Sequence, residues 1–223
     1  PLEEYSRPRL GGIAAINLKE NDDLVQVRLT PGNLDMVLAT KKGMAMRFNE
    51  ADVNPVGRNA SGVIGIRLEN DDEVIGLEVA LKTGNLLTVT ENGYGKRTEI
   101  EEYRHIKRGG KGVINIQTSE RNGNVVSIKT VKDNDEIMLI SKNGVIIRVP
   151  VSGISIVGRN TQGVRIMKLD EKDKVKTIAR VIVDASNNHN GNGNNNGNNH
   201  DNPNGNGSNG NDHINHNIDN NKA

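Results

Sequence analysis

The chain has 223 residues, with 29 Lys and Arg against 28 Asp and Glu, no Cys, no Trp, three Tyr and one Phe. The missing cysteines exclude disulfides, a thiolate nucleophile and a cysteine zinc site, and fit a reducing cytoplasm. So few aromatics leave little on which unpaired bases could stack. No apolar run is long enough to span a membrane and no signal peptide is read, so a cytoplasmic protein is expected.

In chain order, the first residues run through SRPRLGG, a basic turn with Arg7 and Arg9 on either side of Pro8. Residues 13–18 follow as an apolar run, then the turn Asn21-Asp22-Asp23, then residues 24–29, 36–40 and 44–48 as three further short runs. Their β-branched and apolar composition, broken by Asn, Asp and Gly clusters, predicts strands throughout. No window carries a helical stripe.

The order then begins again. GGIAAINL from Gly11 is matched by SGVIGIRL from Ser61, KGVINIQT from Lys111 and QGVRIMKL from Gln162, placing a shared glycine at Gly12, Gly62, Gly112 and Gly163. Leu24, Val74, Val125 and Val175 keep the same phase. So do the hairpin glycines Gly43, Gly93 and Gly144, each followed four residues later by Arg47, Arg97 or Arg148. Three markers in one phase establish a repeat of about 50 residues with about four short strands each, the pattern of propeller blades. Such a unit cannot bury both faces alone, so the core is expected between neighbours. Three full units and a fourth of two strands, ending near Val183, predict an all-β, propeller-like partial ring over residues 1–185. Residues 186–223 are Asn, Gly, His and Asp with almost nothing apolar, which predicts a disordered tail. Its His189, His200, His213 and His216 lack the fixed spacing of a metal site, and neither a metal nor a cofactor is expected.

The tail holds one of the basic and three of the acidic side chains, leaving 28 against 25 before it, a net charge of +3. A total so modest puts the weight on placement. The turn before the shared glycine occurs as SRPRLGG, VGRNASG, IKRGGKG and VGRNTQG, with Arg58, Arg108 and Arg159 each four residues before their glycine. One arginine per unit at one structural position predicts a rim of positive charge. Arg97, Arg104, Lys107 and Lys111 cluster around the third copy, and Arg165 follows the fourth. An arginine that only caps a carbonyl in a turn would repeat as faithfully. HIKRGGKGVINI, from His105, is no Walker A loop, because a strand follows Gly112 in place of a helix.

NGYGKRT from Asn92, SIVGRNTQGV from Ser155 and RGGKG from Arg108 resemble the C-terminal domain of the DNA gyrase A subunit, and the resemblance covers residues 1 to about 183. It implies a β-pinwheel whose blades exchange strands, of which this chain resembles about the last four of six. It also implies a basic rim that wraps duplex DNA, Arg7, Arg9, Arg58, Arg97, Arg104, Lys107, Arg108, Lys111, Arg159 and Arg165 being the candidates. Residues 106–112 match the gyrase A box Gln-Arg-Arg-Gly-Gly-Lys-Gly, with Ile106 for Gln and Lys107 for the first Arg, but they lie in a unit next to the last. The implied partners are duplex DNA and, in an A2B2 enzyme on the nucleoid, the gyrase B subunit together with the rest of gyrase A. Strand cleavage and ATP hydrolysis would belong to those other parts, so no enzyme activity is expected of this chain. Two alternatives stay open, a propeller-like scaffold that binds protein and a topoisomerase IV type C-terminal domain.

Overall fold

The computed structural model of the protein describes residues 2–7 and 9–181. Pro8, the expected disordered tail and its four histidines lie outside the described residues. Eleven strands form, with no α-helix among the described residues: β1 (Asp35–Thr40), β2 (Met44–Asn49), β3 (Val74–Val79), β4 (Asn85–Thr90), β5 (Tyr94–Glu99), β6 (Val113–Ile114), β7 (Val125–Val131), β8 (Glu136–Ser141), β9 (Ile146–Pro150), β10 (Val164–Arg165) and β11 (Val175–Val181). The hairpins β1–β2, β4–β5 and β8–β9 turn at Gly43, Gly93 and Gly144, whose φ values of +88°, +79° and +86° only glycine adopts readily.

Four-stranded antiparallel sheets form as expected, but no repeat builds one alone. The first sheet runs β3-β1-β2-β6 and the second β7-β4-β5-β10, while the third runs β11-β8-β9. Each hairpin therefore takes its inner strand from the next repeat, and the first two take a two-residue outer strand from the repeat after that. Strands β3, β7 and β11 lie beside one another at the centre, leaving β6 and β10 at the periphery. This corrects the strand reading of residues 13–18 and 24–29, which form no strand and join no sheet. Their counterparts in later repeats become strands only on the hairpin of an earlier repeat, and no such hairpin stands among the described residues for the first copies. Leu24, Val25, Val27 and Leu29 are exposed as a result, as are Val63 and Ile64. On the other side, β9 lacks an outer strand, and Val145 and Ile146 are exposed.

The core lies between sheets. Val37, Ala39 and Ala45 of the first sheet meet Leu86 and Ile128 of the second, together with Ile100 and Tyr103 from the 3-10 turn after β5. Leu87, Val89 and Val131 on the other face of the second sheet meet Ile137, Leu139, Val175 and Ile178 of the third. Strand β4 is consequently buried on both faces, Leu86 pointing one way and Leu87 the other. Polar groups enclosed here are paired. Tyr103 donates its hydroxyl proton to Asn115 Oδ1 at 2.6 Å, and Asn115 Nδ2 donates to Thr88 Oγ1 at 3.0 Å, joining the second and third repeats. At the centre, Glu78 accepts from Arg28 at 2.5 Å and Lys129 at 2.9 Å, three charges from successive repeats at one register position.

The shared glycine serves close approach. At Gly112, with φ +79°, a Cβ would stand 2.4 Å from the Ala45 carbonyl oxygen, and at Gly163 one would stand 2.7 Å from that of Gly95. Gly62 has φ +82° with no atom near. Gly62→Ala is therefore expected to cost only the left-handed backbone penalty, about 1–2 kcal/mol, and Gly112→Ala more, measured by urea unfolding. Equal losses would mean that the β2–β6 contact is not what the glycine serves. Asn115→Ala strips the partner from the Tyr103 hydroxyl and is expected to lower stability by about 2 kcal/mol; a neutral result in the same assay would show that the enclosed network is replaced by water.

Candidate nucleic-acid interface

The periphery is built by the turn that carries each repeated arginine and by the short outer strand that follows it. Within these turns the arginines do an internal job. Arg58 Nη1 donates to the Ala14 carbonyl at 3.0 Å, Arg108 Nη1 to that of Ile64 at 3.1 Å, and Arg159 Nη1 to that of Ile114 at 2.7 Å. The three acceptors occupy one position of the repeat, so each guanidinium latches its turn to the preceding copy of the same turn. Arg108 Nε adds a bond to the Asp52 carbonyl at 3.0 Å. Carboxylates hold the turns too: Glu4 accepts from the Arg58 backbone N–H and Glu102 from that of Arg159, at 3.3 and 3.1 Å. All three arginines end half-buried.

The hairpin arginines are drawn further inside. Arg97 is 4% exposed; its Nε donates to the Ile154 carbonyl at 2.7 Å and its Nη1 to Asp133. It ties β5 to the next repeat's 3-10 turn, just as Arg47 donates to the Ile100 carbonyl at 3.0 Å. Burial removes Arg97 from any surface a phosphate could reach, which corrects its place among the candidates. Lys96 beside it is fully buried, donating to the Gly158 and Arg159 carbonyls at 2.5 and 2.7 Å. Burial pushes its ammonium down to about 8, so the charge remains at neutral pH.

Arg7, Arg9, Arg104, Lys107, Lys111 and Arg165 face solvent. Arg7, Arg9 and Arg58 converge on one cleft of about 480 Å³. Arg104, Lys107 and Lys111 stand on the stretch between β6 and the 3-10 turn after β5, where Lys111 has Glu69 at 3.7 Å. The RGGKG backbone is not an open anion nest: the Gly109 N–H donates to the Gly65 carbonyl at 2.5 Å, and the Gly110 carbonyl accepts from Arg67 at 2.7 Å. The side chains of Lys107 and Lys111 stay exposed beside it.

One cation group escaped the sequence reading. Arg121, in the turn before β7, lies 4.9 Å from the centroid of the Tyr94 ring, and Arg165 lies 5.3 Å from it. Arg165 Nη2 donates to the Tyr94 hydroxyl at 2.9 Å, and hydrogen bonding from Arg121 and Arg165 holds that phenol below its ordinary range. Tyr94 and Arg165 were each visible in the sequence, yet SERNGN around Arg121 reads as one more polar turn. The pairing of β10 on β5 and of β7 on β4 brings the three segments together.

The fold agrees with comparison to known proteins. The family described as "DNA gyrase C-terminal domain, beta-propeller" matches residues 1–31, 35–80, 84–132 and 135–182. The gyrase A protein of Halalkalibacterium halodurans is 57% identical over 183 residues, and that of Clostridium acetobutylicum 48% over 182; each match covers 82% of this chain and 22% of the relative. The chain thus spans about a fifth of the length of these relatives. Among solved structures, the C-terminal domain of DNA topoisomerase IV aligns with a TM-score of 0.76 at 27% identity, over 81% of this chain and 57% of that one. The DNA gyrase A C-terminal domain aligns at 0.72 and 29%, over 77% and 59%. Repeat, exchanged sheets and sequence match together place this chain in the DNA gyrase C-terminal domain family.

Proposed function

We propose that this chain binds duplex DNA through its phosphates, without reading sequence, and bends it along the periphery of the blades. Within a gyrase of A2B2 composition, acting on the nucleoid in the cytoplasm, such a bend would present a crossing of defined hand to the rest of the enzyme and direct strand passage towards negative supercoiling. Bond cleavage and nucleotide hydrolysis would reside elsewhere in that assembly. The observation that carries the reading is the set of six exposed cations, Arg7, Arg9, Arg104, Lys107, Lys111 and Arg165, that remain on the turns and outer strand once the latches are set apart, in a member of this family.

The physics asks for several contacts at once. Bending two or three turns of duplex costs on the order of 1–6 kcal/mol, and each neutralised phosphate releases counterions, giving a slope of about −0.9 in log K against log salt. The scarcity of aromatics suits binding that neither stacks on bases nor reads their edges. A topoisomerase IV type domain is favoured by fold similarity alone, whereas the sequence relatives at 48% and 57% identity are gyrase A proteins.

Affinity for a duplex of about 100 base pairs should exceed that for one of about 15 and fall steeply with salt. A gel-shift series showing neither dependence would end the wrapping proposal. Lys107→Ala with Lys111→Ala should weaken binding while leaving the thermal midpoint in place. Arg108→Ala should instead lower the midpoint, by several degrees for a loss of about 1–2 kcal/mol. Should Arg108→Ala abolish binding at unchanged midpoint, while Arg58→Ala and Arg159→Ala do nothing, the latch assignment is wrong.

A further inference from the structure

The Arg121, Tyr94 and Arg165 group differs from the other exposed cations in having two guanidinium groups against one ring. At the same register position of the first sheet, Met44 lies opposite Ile114, whereas in the second Tyr94 lies opposite Arg165. Arg121 stands in a turn one residue longer than that of the preceding repeat, Gly112 to Val125 against Gly62 to Val74. The outer pairing of the first sheet is neutral at the position where the second sheet pairs Tyr94 with Arg165, so that charge is an addition specific to the second sheet.

Two guanidinium groups are held against one ring, and no carboxylate pairs with either among the described residues; their polar partners are Gln162 Oε1, at 3.3 Å from Arg121, and the Tyr94 hydroxyl. Two like charges against one ring repel, and an anion bound by both would relieve that. The arrangement is also pre-formed. Buried Asn122 donates to the Gln117 and Gln162 carbonyls at 2.8 and 3.1 Å, and Asn92 donates to the Arg121 carbonyl at 3.2 Å, fixing the turn that presents Arg121. The group borders an open cleft of about 320 Å³ that Lys168 also lines. Asp170, Glu171 and Asp173 line it too, but Asp173 is committed to the backbone N–H groups of Asn143 and Lys174, at 3.1 and 2.8 Å.

We propose that Arg121 and Arg165, braced on Tyr94, form a discrete phosphodiester clamp that grips the duplex at one fixed point on the periphery of the second sheet. Bidentate guanidinium groups suit a phosphate better than point charges do, and the ring keeps both planes in place while unoccupied. The clamp deepens the duplex-binding reading and rests on it. It gives an otherwise periodic surface an anchor, and so a defined register for the bend.

The test compares the wild type with Arg121→Ala/Arg165→Ala on a duplex of about 100 base pairs across a salt series. The double variant should bind about tenfold more weakly, with a log–log slope shallower by about 0.9. A second readout is the Tyr94 phenol, followed by NMR in protein carrying [13Cζ]tyrosine: duplex binding should raise its titration midpoint, because phosphate takes over the arginine hydrogen bonds. Should the double variant fail to fold, this wild-type titration decides alone. Wild-type binding with an unmoved phenol, or with equal affinity and slope in a folded double variant, would overturn the clamp and leave the duplex reading standing. No duplex binding by the wild type would remove both.

Discussion

A two-stranded hairpin has two open edges, and in this fold neither edge is closed by the repeat that makes the hairpin. Unpaired strand edges expose backbone donors and acceptors and invite indiscriminate pairing, so the position of every other element follows from how those edges are covered. The inner edge takes a full strand from the next repeat, which brings β3, β7 and β11 together at the centre. The outer edge takes only two residues from the repeat beyond it. So short a strand needs reinforcement, and the shared glycine and the repeated arginine supply it, one by letting backbones touch, the other by clasping a carbonyl.

Charge in the molecule divides by partner. Glu78 sits between Arg28 and Lys129 at the centre. Arg47, Arg97 and the repeated turn arginines satisfy backbone carbonyls of a neighbouring repeat that would otherwise be enclosed without donors. Arg7, Arg9, Arg104, Lys107, Lys111 and Arg165 face solvent. With a net charge of +3 before the tail, the field around this domain is modest, which leaves the effect of its charges to their placement.

The sequence made the repeat, its phase and the hairpins legible, because Asn-Gly turns and β-branched runs express local chemistry. It misjudged residues 13–18 and 24–29, whose patterns match those around β6 and β3 in later repeats, because strand formation there depends on a partner that local composition cannot supply. The internal contacts of the repeated arginines were hidden for a related reason. Periodicity drew attention to Arg58, Arg108 and Arg159, yet a residue recurring at every step is what the fold needs at every step, and these proved to be latches. Arg121 breaks the period and passed unnoticed, although an unrepeated charge at a repeated position is the stronger hint of something beyond structure. Lys107 and Lys111, which set the third turn apart from its siblings, fit that rule.

The path of the chain has one more consequence. After β5 completes the second hairpin, the backbone returns to the first sheet as β6, re-enters the second as β7, and only then moves on to the third. The repeats are woven, not strung like beads. A single cut in the connection between Tyr103 and Gly112 would leave two pieces that still share both of the first two sheets, and neither could leave without dismantling them. Where stacked repeat arrays fray from an end, one unit at a time, this weave ties the loss of any one hairpin to its neighbours on both sides, so that a load applied at one point of the periphery is carried by the whole.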